Sequence, residues 1–171
     1  KVILFMKTSD FDFELKEDLI AQTPLEKRDN SKMLILDKKT GKTIHNHFND
    51  IINYLDNNTV LVLNDTKVIP ARLYGIKEKT NALIEVLLLE EVEKNKWQCL
   101  VKPAKRVKIG TIISFKDKLK LECIEEKEEG IRIFKFHFKG ILMEILDELG
   151  EMPLPPYIHE KLKEKDRYQT V

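Results

Sequence analysis

Leu83-Ile-Glu-Val-Leu-Leu-Leu89, Lys96-Trp-Gln-Cys-Leu-Val101, Thr111-Ile-Ile-Ser-Phe115, Leu119-Lys-Leu-Glu-Cys-Ile124 and Ile131-Arg-Ile-Phe-Lys-Phe-His-Phe138 are five short apolar runs divided by charged or glycine-containing turns. Short strands recurring about every ten residues indicate a sandwich or a small barrel. An all-β domain is therefore placed over residues 70–139.

The flanks have a different texture. Downstream, Ile141, Leu142, Ile145, Leu146 and Leu149 return to helical spacing, with Gly150 placed as the C-terminal cap. Upstream, Val60-Leu-Val-Leu63 is an unbroken apolar run, the pattern of a strand covered on both faces. Before it, Phe48, Ile51, Ile52 and Leu55 stand at i, i+3, i+4 and i+7, which predicts an amphipathic helix. Met33–Asp37 and Thr43–Asn46 flank Lys38-Lys-Thr-Gly41 and predict a hairpin. Leu15, Leu19 and Ile20 predict a short helix over 16–22, ended by Thr23-Pro24. Strand, helix and strand in that order suggest an α/β layer. The fold class expected is an α/β domain, discontinuous over residues 6–69 and 140–171 and incomplete, interrupted by an inserted all-β domain. Met6 reads as a natural start, with residues 1–5 an upstream extension, and Arg167–Val171 reads as the opening of a strand. No internal repeat or low-complexity segment is seen.

Composition narrows the function. With 171 residues and 42% hydrophobic content the chain can bury a sizeable core, and 30 basic against 29 acidic residues disfavour a protein that coats a polyanion. Any nucleic-acid surface must come from clustered charge. No window approaches the roughly 18 apolar residues of a membrane helix, and Val2-Ile-Leu-Phe5 is too short for a signal-peptide core, so a cytoplasmic location is expected. Cys99 and Cys123 lie inside strand-like runs without zinc-ligand spacing and read as buried thiols of a reducing compartment.

All six glycines are isolated, which leaves no Walker loop and no dinucleotide fingerprint. His45 and His47 alternate on one side of a strand but lack a third ligand, so no metal is expected. The most informative segment is Leu63-Asn64-Asp65-Thr66-Lys67-Val68-Ile69-Pro70-Ala71-Arg72-Leu73. It places three small polar side chains at the carboxyl end of a strand, the usual location of ligand crevices in open α/β sheets. Asp65 can accept a proton or fix a ligand hydroxyl; equally, Asn64 and Asp65 can turn the chain by bonding their own backbone, or Asp-Thr can cap a helix. Val101-Lys102-Pro103-Ala104-Lys105-Arg106-Val107-Lys108 concentrates four cations at a proline-interrupted stretch. With Lys67 and Arg72 it can form a phosphate-binding stripe or a solvated loop face. In Gly150-Glu-Met-Pro-Leu-Pro-Pro-Tyr157-Ile158 three prolines stiffen the chain and present Tyr157, to wall a pocket, stack on a base, or simply end a rigid linker.

Taken together these segments resemble the S-adenosylmethionine:tRNA ribosyltransferase-isomerase family of the queuosine pathway. The resemblance is carried by Ser9–Leu15, Leu19–Pro24, Arg28–Ser31, Leu63–Leu73, Glu85–Leu89, Val101–Lys108, Glu148–Ile158 and Tyr168-Gln169-Thr170-Val171, in order from Met6 to the last residue. Lys16 departs from a common proline, and Thr80-Asn81 replaces a glycine pair, which puts any close backbone approach at that turn in question. Family members continue beyond the Tyr-Gln-Thr-Val block, so the resemblance implies an α/β domain interrupted by a β-barrel, of which the chain holds a part. The isolated 171 residues are expected to be poorly soluble or inactive.

The resemblance further implies a reaction. S-adenosylmethionine serves as ribosyl donor, its ribose passes to 7-aminomethyl-7-deazaguanine in tRNA to give epoxyqueuosine, and adenine and methionine depart. Such chemistry needs a base for the carbon beside the sulfonium, stabilisation of the departing adenine, and cations for tRNA phosphates. On that basis Asp65 is expected as base or ribose-orienting carboxylate, with Asn64 and Thr66 on substrate hydroxyls. Arg72 and Lys102 are expected to handle phosphate or developing negative charge, supported by Lys105 and Arg106, Tyr157 to stack on adenine or the deazaguanine, and Tyr168, Gln169 and Thr170 to join the binding set. Neither a prosthetic group nor a membrane is implied, and the protein is expected to be a monomer. Two rivals stand: a non-catalytic RNA-binding module, and an ordinary methyltransferase, whose glycine-rich donor loop is absent from this chain.

Overall fold

Eight strands follow one another along the described residues, 6–169, of the computed structural model. They are β1 (Lys32–Leu36), β2 (Thr43–His47), β3 (Arg72–Lys77), β4 (Leu83–Glu93), β5 (Lys96–Lys102), β6 (Ile112–Phe115), β7 (Leu119–Glu126) and β8 (Ile131–Phe138), followed by helix α1 (Leu142–Leu149). Every strand pairing is antiparallel. The chain divides into two compact units, residues 6–62 with 155–162, and residues 63–154 with 163–169.

In the first unit β1 and β2 form the expected hairpin, Leu34 opposite His45. Its turn is held by the Asp37 carboxylate, which accepts the N–H groups of Lys39 and Thr40 at 2.8 Å each. Those bonds hold its carboxyl below the usual range. His45 and His47 are exposed on this hairpin. The helix expected over 16–22 is only the 3₁₀ turn Glu17–Leu19, and the stripe from Phe48 to Leu55 winds as a 3₁₀ helix, Phe48–Tyr54. Asn49, Asp50, Asn53 and the β-branched Ile51-Ile52 pair are poor α-helix formers, and Ile52, 73% exposed, gains little from packing.

The expected strand at Val60–Leu63 is a correction: it forms no strand, and Val62 is 90% exposed. No neighbouring strand among the described residues offers this run a hydrogen-bonded ladder. Arg167 and Tyr168, expected to open a strand, lie instead in the 3₁₀ turn Lys165–Tyr168. Residues 1–5, with Thr170 and Val171, lie outside the described residues.

The second unit is a closed barrel in the order β3-β4-β5-β8-β7-β6, and β6 returns to β3 through Ile76↔Ser114 and Lys77↔Ile113. Alternate side chains point inward, as strand geometry requires. Leu73, Ile84, Val86, Cys99, Val101, Ile113, Phe115, Leu119, Leu121, Cys123, Phe134 and Phe136 fill the interior. Bulges between Leu88 and Glu90, Glu91 and Glu93, and Cys123 and Glu125 give the local twist that closure needs. Both cysteines are buried and free, and burial pushes both thiols up.

Strand β3, which sequence periodicity did not single out, turns Gly75 inward beside the bulky side chains of its paired neighbour β6. A Cβ there would stand 2.5 Å from the Phe115 ring. The turn joining β3 to β4 holds Asn81 at φ 53°, a left-handed conformation that asparagine tolerates in place of glycine. α1 adds Ile145 and Leu146 to the same core. Gly150 ends it, as expected, but in an extended conformation: a Cβ would fall 2.0 Å from the Pro70 carbonyl oxygen. Lys165 completes this end by donating to the carbonyls of Asp147 and Gly150. None of the described helices is long and apolar enough to cross a membrane.

Candidate functional site

Asn64, Asp65, Thr66 and Lys67 are exposed and precede β3 without regular secondary structure. Asn64 Oδ1 accepts the Thr66 N–H at 2.9 Å, so this amide shapes its own turn. The segment is anchored one residue further on. Gln169 Oε1 accepts the Val68 N–H at 2.7 Å, and Gln169 Nε2 donates to the Val68 carbonyl at 2.8 Å, a two-point clamp between residues 101 apart in sequence. The carboxamide expected to bind substrate is thus engaged with the backbone that carries the Asn-Asp-Thr turn. Tyr168, half-buried, sits beside it.

Arg72 lies on the outer face of β3, where its Nε stands 3.1 Å from Glu85 Oε1. Glu85 is also the cross-strand neighbour of Lys102. Tyr74, one register step along β3, is partly exposed; partial burial, then the charges of Glu85 and Glu151, push its phenol up.

Beyond Lys102, β5 ends at Pro103 and the chain makes the 3₁₀ turn Ala104–Arg106. The side chains of Lys102, Lys105 and Arg106 are exposed, and none forms an ion pair among the described residues. Lys108 differs: its ammonium meets Glu126 at 3.0 Å. Three carbonyls of this stretch are held by side chains, that of Arg106 by Lys77 Nζ at 2.7 Å and those of Ala104 and Val107 by Arg132. Exposed cations on a fixed backbone form a surface suited to phosphate.

Tyr157 belongs to the other unit, with its ring half exposed. There Gln22 makes a second clamp: Nε2 donates to the Tyr157 carbonyl at 3.0 Å and Oε1 accepts the His159 N–H at 2.8 Å. A groove of about 750 Å³ lies between the β7 and β8 ends and α1, lined by Lys118, Lys120, His137, Lys139, Glu144 and Glu148 among others. None of the site residues expected from sequence lines it. No group of three or more metal-ligating side chains occurs among the described residues.

Sequence reasoning missed Gln22, Lys77 and Arg132. For Arg132 a signal existed, a lone cation at the same parity as Phe134 and Phe136 in an apolar strand. For the others only the fold shows the partner.

Residues 8–171 match the family described as Queuosine biosynthesis protein. A relative from Staphylococcus epidermidis, named S-adenosylmethionine:tRNA ribosyltransferase-isomerase, is 57% identical over 167 residues, 97% of this chain and 49% of its own length. One of the same name from Staphylococcus haemolyticus is 55% identical over the same shares. The chain spans about half the length of the curated relatives it matches. The crystal structure of S-adenosylmethionine tRNA ribosyltransferase from Thermotoga maritima shares 46% identity, covering 74% of this chain and 44% of that one at a TM-score of 0.36.

Proposed function

Because this chain belongs to the queuosine biosynthesis protein family, we propose that it forms part of an S-adenosylmethionine:tRNA ribosyltransferase-isomerase. The observation that carries this reading is 57% identity along nearly the whole chain to a relative bearing that name. In the proposed reaction the ribosyl group of S-adenosylmethionine is moved and isomerised onto 7-aminomethyl-7-deazaguanine in tRNA. Epoxyqueuosine forms, adenine and methionine are released, and no prosthetic group takes part. A cytoplasmic monomer acting on tRNA accords with this reading.

Asp65 takes the proton from the ribose carbon beside the sulfonium, or orients that ribose, and its exposure on an anchored turn leaves it open to a ligand. Thr66 holds a substrate hydroxyl, while Asn64 acts chiefly through the turn it closes. Lys102, Lys105 and Arg106 meet tRNA phosphates, and Arg72, paired with the Glu85 that stands across from Lys102, handles phosphate or developing negative charge. Tyr157 stacks on adenine or the deazaguanine, its backbone held by Gln22. Tyr168 and Thr170 complete the binding set beside Gln169.

The architecture proposed is a discontinuous α/β domain, residues 6–69 and 140–171, interrupted by the barrel of residues 70–139. Its support is that residues 6–62 and 155–162 form one unit whose chain is interrupted by the barrel-bearing unit.

The test incubates the full-length protein with S-adenosylmethionine and tRNA carrying 7-aminomethyl-7-deazaguanine. Adenine release with epoxyqueuosine in the tRNA is the expected result. Methyl transfer would indicate the methyltransferase alternative, and tRNA binding that ignores the donor the non-catalytic one. Asp65→Asn in that protein is expected to lower kcat by at least about a hundredfold. Normal turnover would remove Asp65 from proton transfer.

A further inference from the structure

Arg132 is the one charged side chain that is buried among the described residues, at 6% exposure. A buried guanidinium is tolerated only where its donors are met, and here they are. Nη1 donates to the carbonyls of Lys127 and Ile131 at 2.9 and 2.7 Å, Nε to that of Val107 at 3.0 Å, and Nη2 to that of Ala104 at 3.1 Å. Glu126 Oε2 lies 3.5 Å from Nη2 and supplies the countercharge.

Two of these acceptors, Ala104 and Val107, bracket Lys105 and Arg106. From the same neighbourhood Glu126 grips Lys108 Nζ at 3.0 Å and the Ile109 N–H at 3.3 Å. The basic segment is therefore stapled by its backbone from inside the barrel, while Lys102, Lys105 and Arg106 remain free to face outward. An apolar residue at 132 would leave those carbonyls without their donor and the turn free to move.

We propose that Arg132 is a positioning residue for RNA: it fixes the turn that presents Lys102, Lys105 and Arg106, so that phosphates meet a loop already ordered. The proposal rests on reading those three side chains as phosphate contacts. Ordering a loop at the moment of binding costs affinity, and a preordered one avoids that cost. Arg132 itself touches no RNA, so its loss should alter tRNA affinity while sparing the donor site and the chemical step.

The experiment uses the full-length protein with wild-type, Arg132→Met, Arg132→Lys and the combined Lys102→Ala/Lys105→Ala/Arg106→Ala forms. For each, tRNA affinity over a range of salt, KM for S-adenosylmethionine, kcat at saturating tRNA and the melting temperature are measured. The triple variant should weaken binding and lower the salt slope by about two to three units. Arg132→Met should weaken tRNA binding about fivefold, with kcat and the donor KM within about twofold of wild type. Arg132→Lys, which keeps charge but not the planar fork, should fall between. If Arg132→Met does not fold, Arg132→Lys at wild-type melting temperature supplies the comparison.

Unchanged tRNA affinity in the triple variant would overturn the phosphate reading and this proposal with it. A weakened triple variant beside a folded Arg132 variant with wild-type tRNA affinity would overturn the positioning role alone. Loss of kcat, donor KM and tRNA affinity in equal measure would likewise sink it, since that is the signature of general structural damage.

Discussion

At Gly75 a single missing carbon sets the packing of the barrel. Its Cβ would meet the Phe115 ring at 2.5 Å and Ile113 at 2.6 Å, so Gly75→Ala is expected to destabilise the protein by about 1–3 kcal/mol through overpacking. In a Phe115→Leu background the same change should cost less, a coupling that a double-mutant cycle on melting would show. At Gln169 the residue type was legible, but its role was not. Seen along the chain it is another polar side chain near Tyr168, and in the fold both ends of its amide are engaged by Val68. Gln169→Glu keeps the acceptor, loses the donor and places a carboxylate against a carbonyl. It should therefore speed hydrogen exchange at the Val68 amide as well as slow adenine release; exchange at the wild-type rate would contradict the clamp. Asn64 shows the opposite case, since the self-bonded turn was one of two readings open from sequence and is the one its side chain adopts.

Among the elements, strands were easier to read than helices. β4 through β8 were marked by apolar runs and by turns rich in Gly, Asn and Lys, because a strand in a closed barrel must show its burial to the core at every second residue. β3 escaped because Gly75 interrupts its apolar texture at the point where the Phe115 ring needs room. The stripe over 48–55 did encode a helical turn, but its apolar face is only partly covered, with Ile51 and Leu55 half-buried and Phe48 and Ile52 exposed, too little packing to stabilise the α form. The loop of residues 104–109 carries its own pH dependence. The Lys108 hydrogen bond foremost, then the Ile109 N–H and the charges of Lys108 and Arg132, hold the Glu126 carboxyl below its ordinary 4.5. A depressed folded-state value means stabilisation that is full above 4.5 and is lost as the pH falls through the lower folded value. Acid melting followed by circular dichroism should show that loss, and Glu126→Gln should reduce it. An identical acid profile in the variant would exclude Glu126 as a contributor.

Across the whole molecule, stability is expected to concentrate in the barrel. Phe134 is fully buried at its centre, and Phe134→Ala should cost about 3–5 kcal/mol in denaturant unfolding. Native-state hydrogen exchange should find the slowest amides in β4, β5, β7 and β8 and the fastest between residues 55 and 67, where the described chain has neither strand nor helix; comparable protection in both would contradict this distribution. The amino-acid sequence by itself determined where the apolar runs of β4 to β8 lie, where α1 begins and ends, and the likeness to a tRNA-modifying family, because periodicity, turn chemistry and motif blocks are local properties of the chain. Only the tertiary structure decided how the barrel closes, with β6 returning to β3, that Val60–Leu63 stays unpaired, and that Arg132 and Gln169 grip distant backbone. Each depends on which groups meet across tens of residues, and a hydrogen-bond partner that far along the chain leaves no period in the sequence to be read.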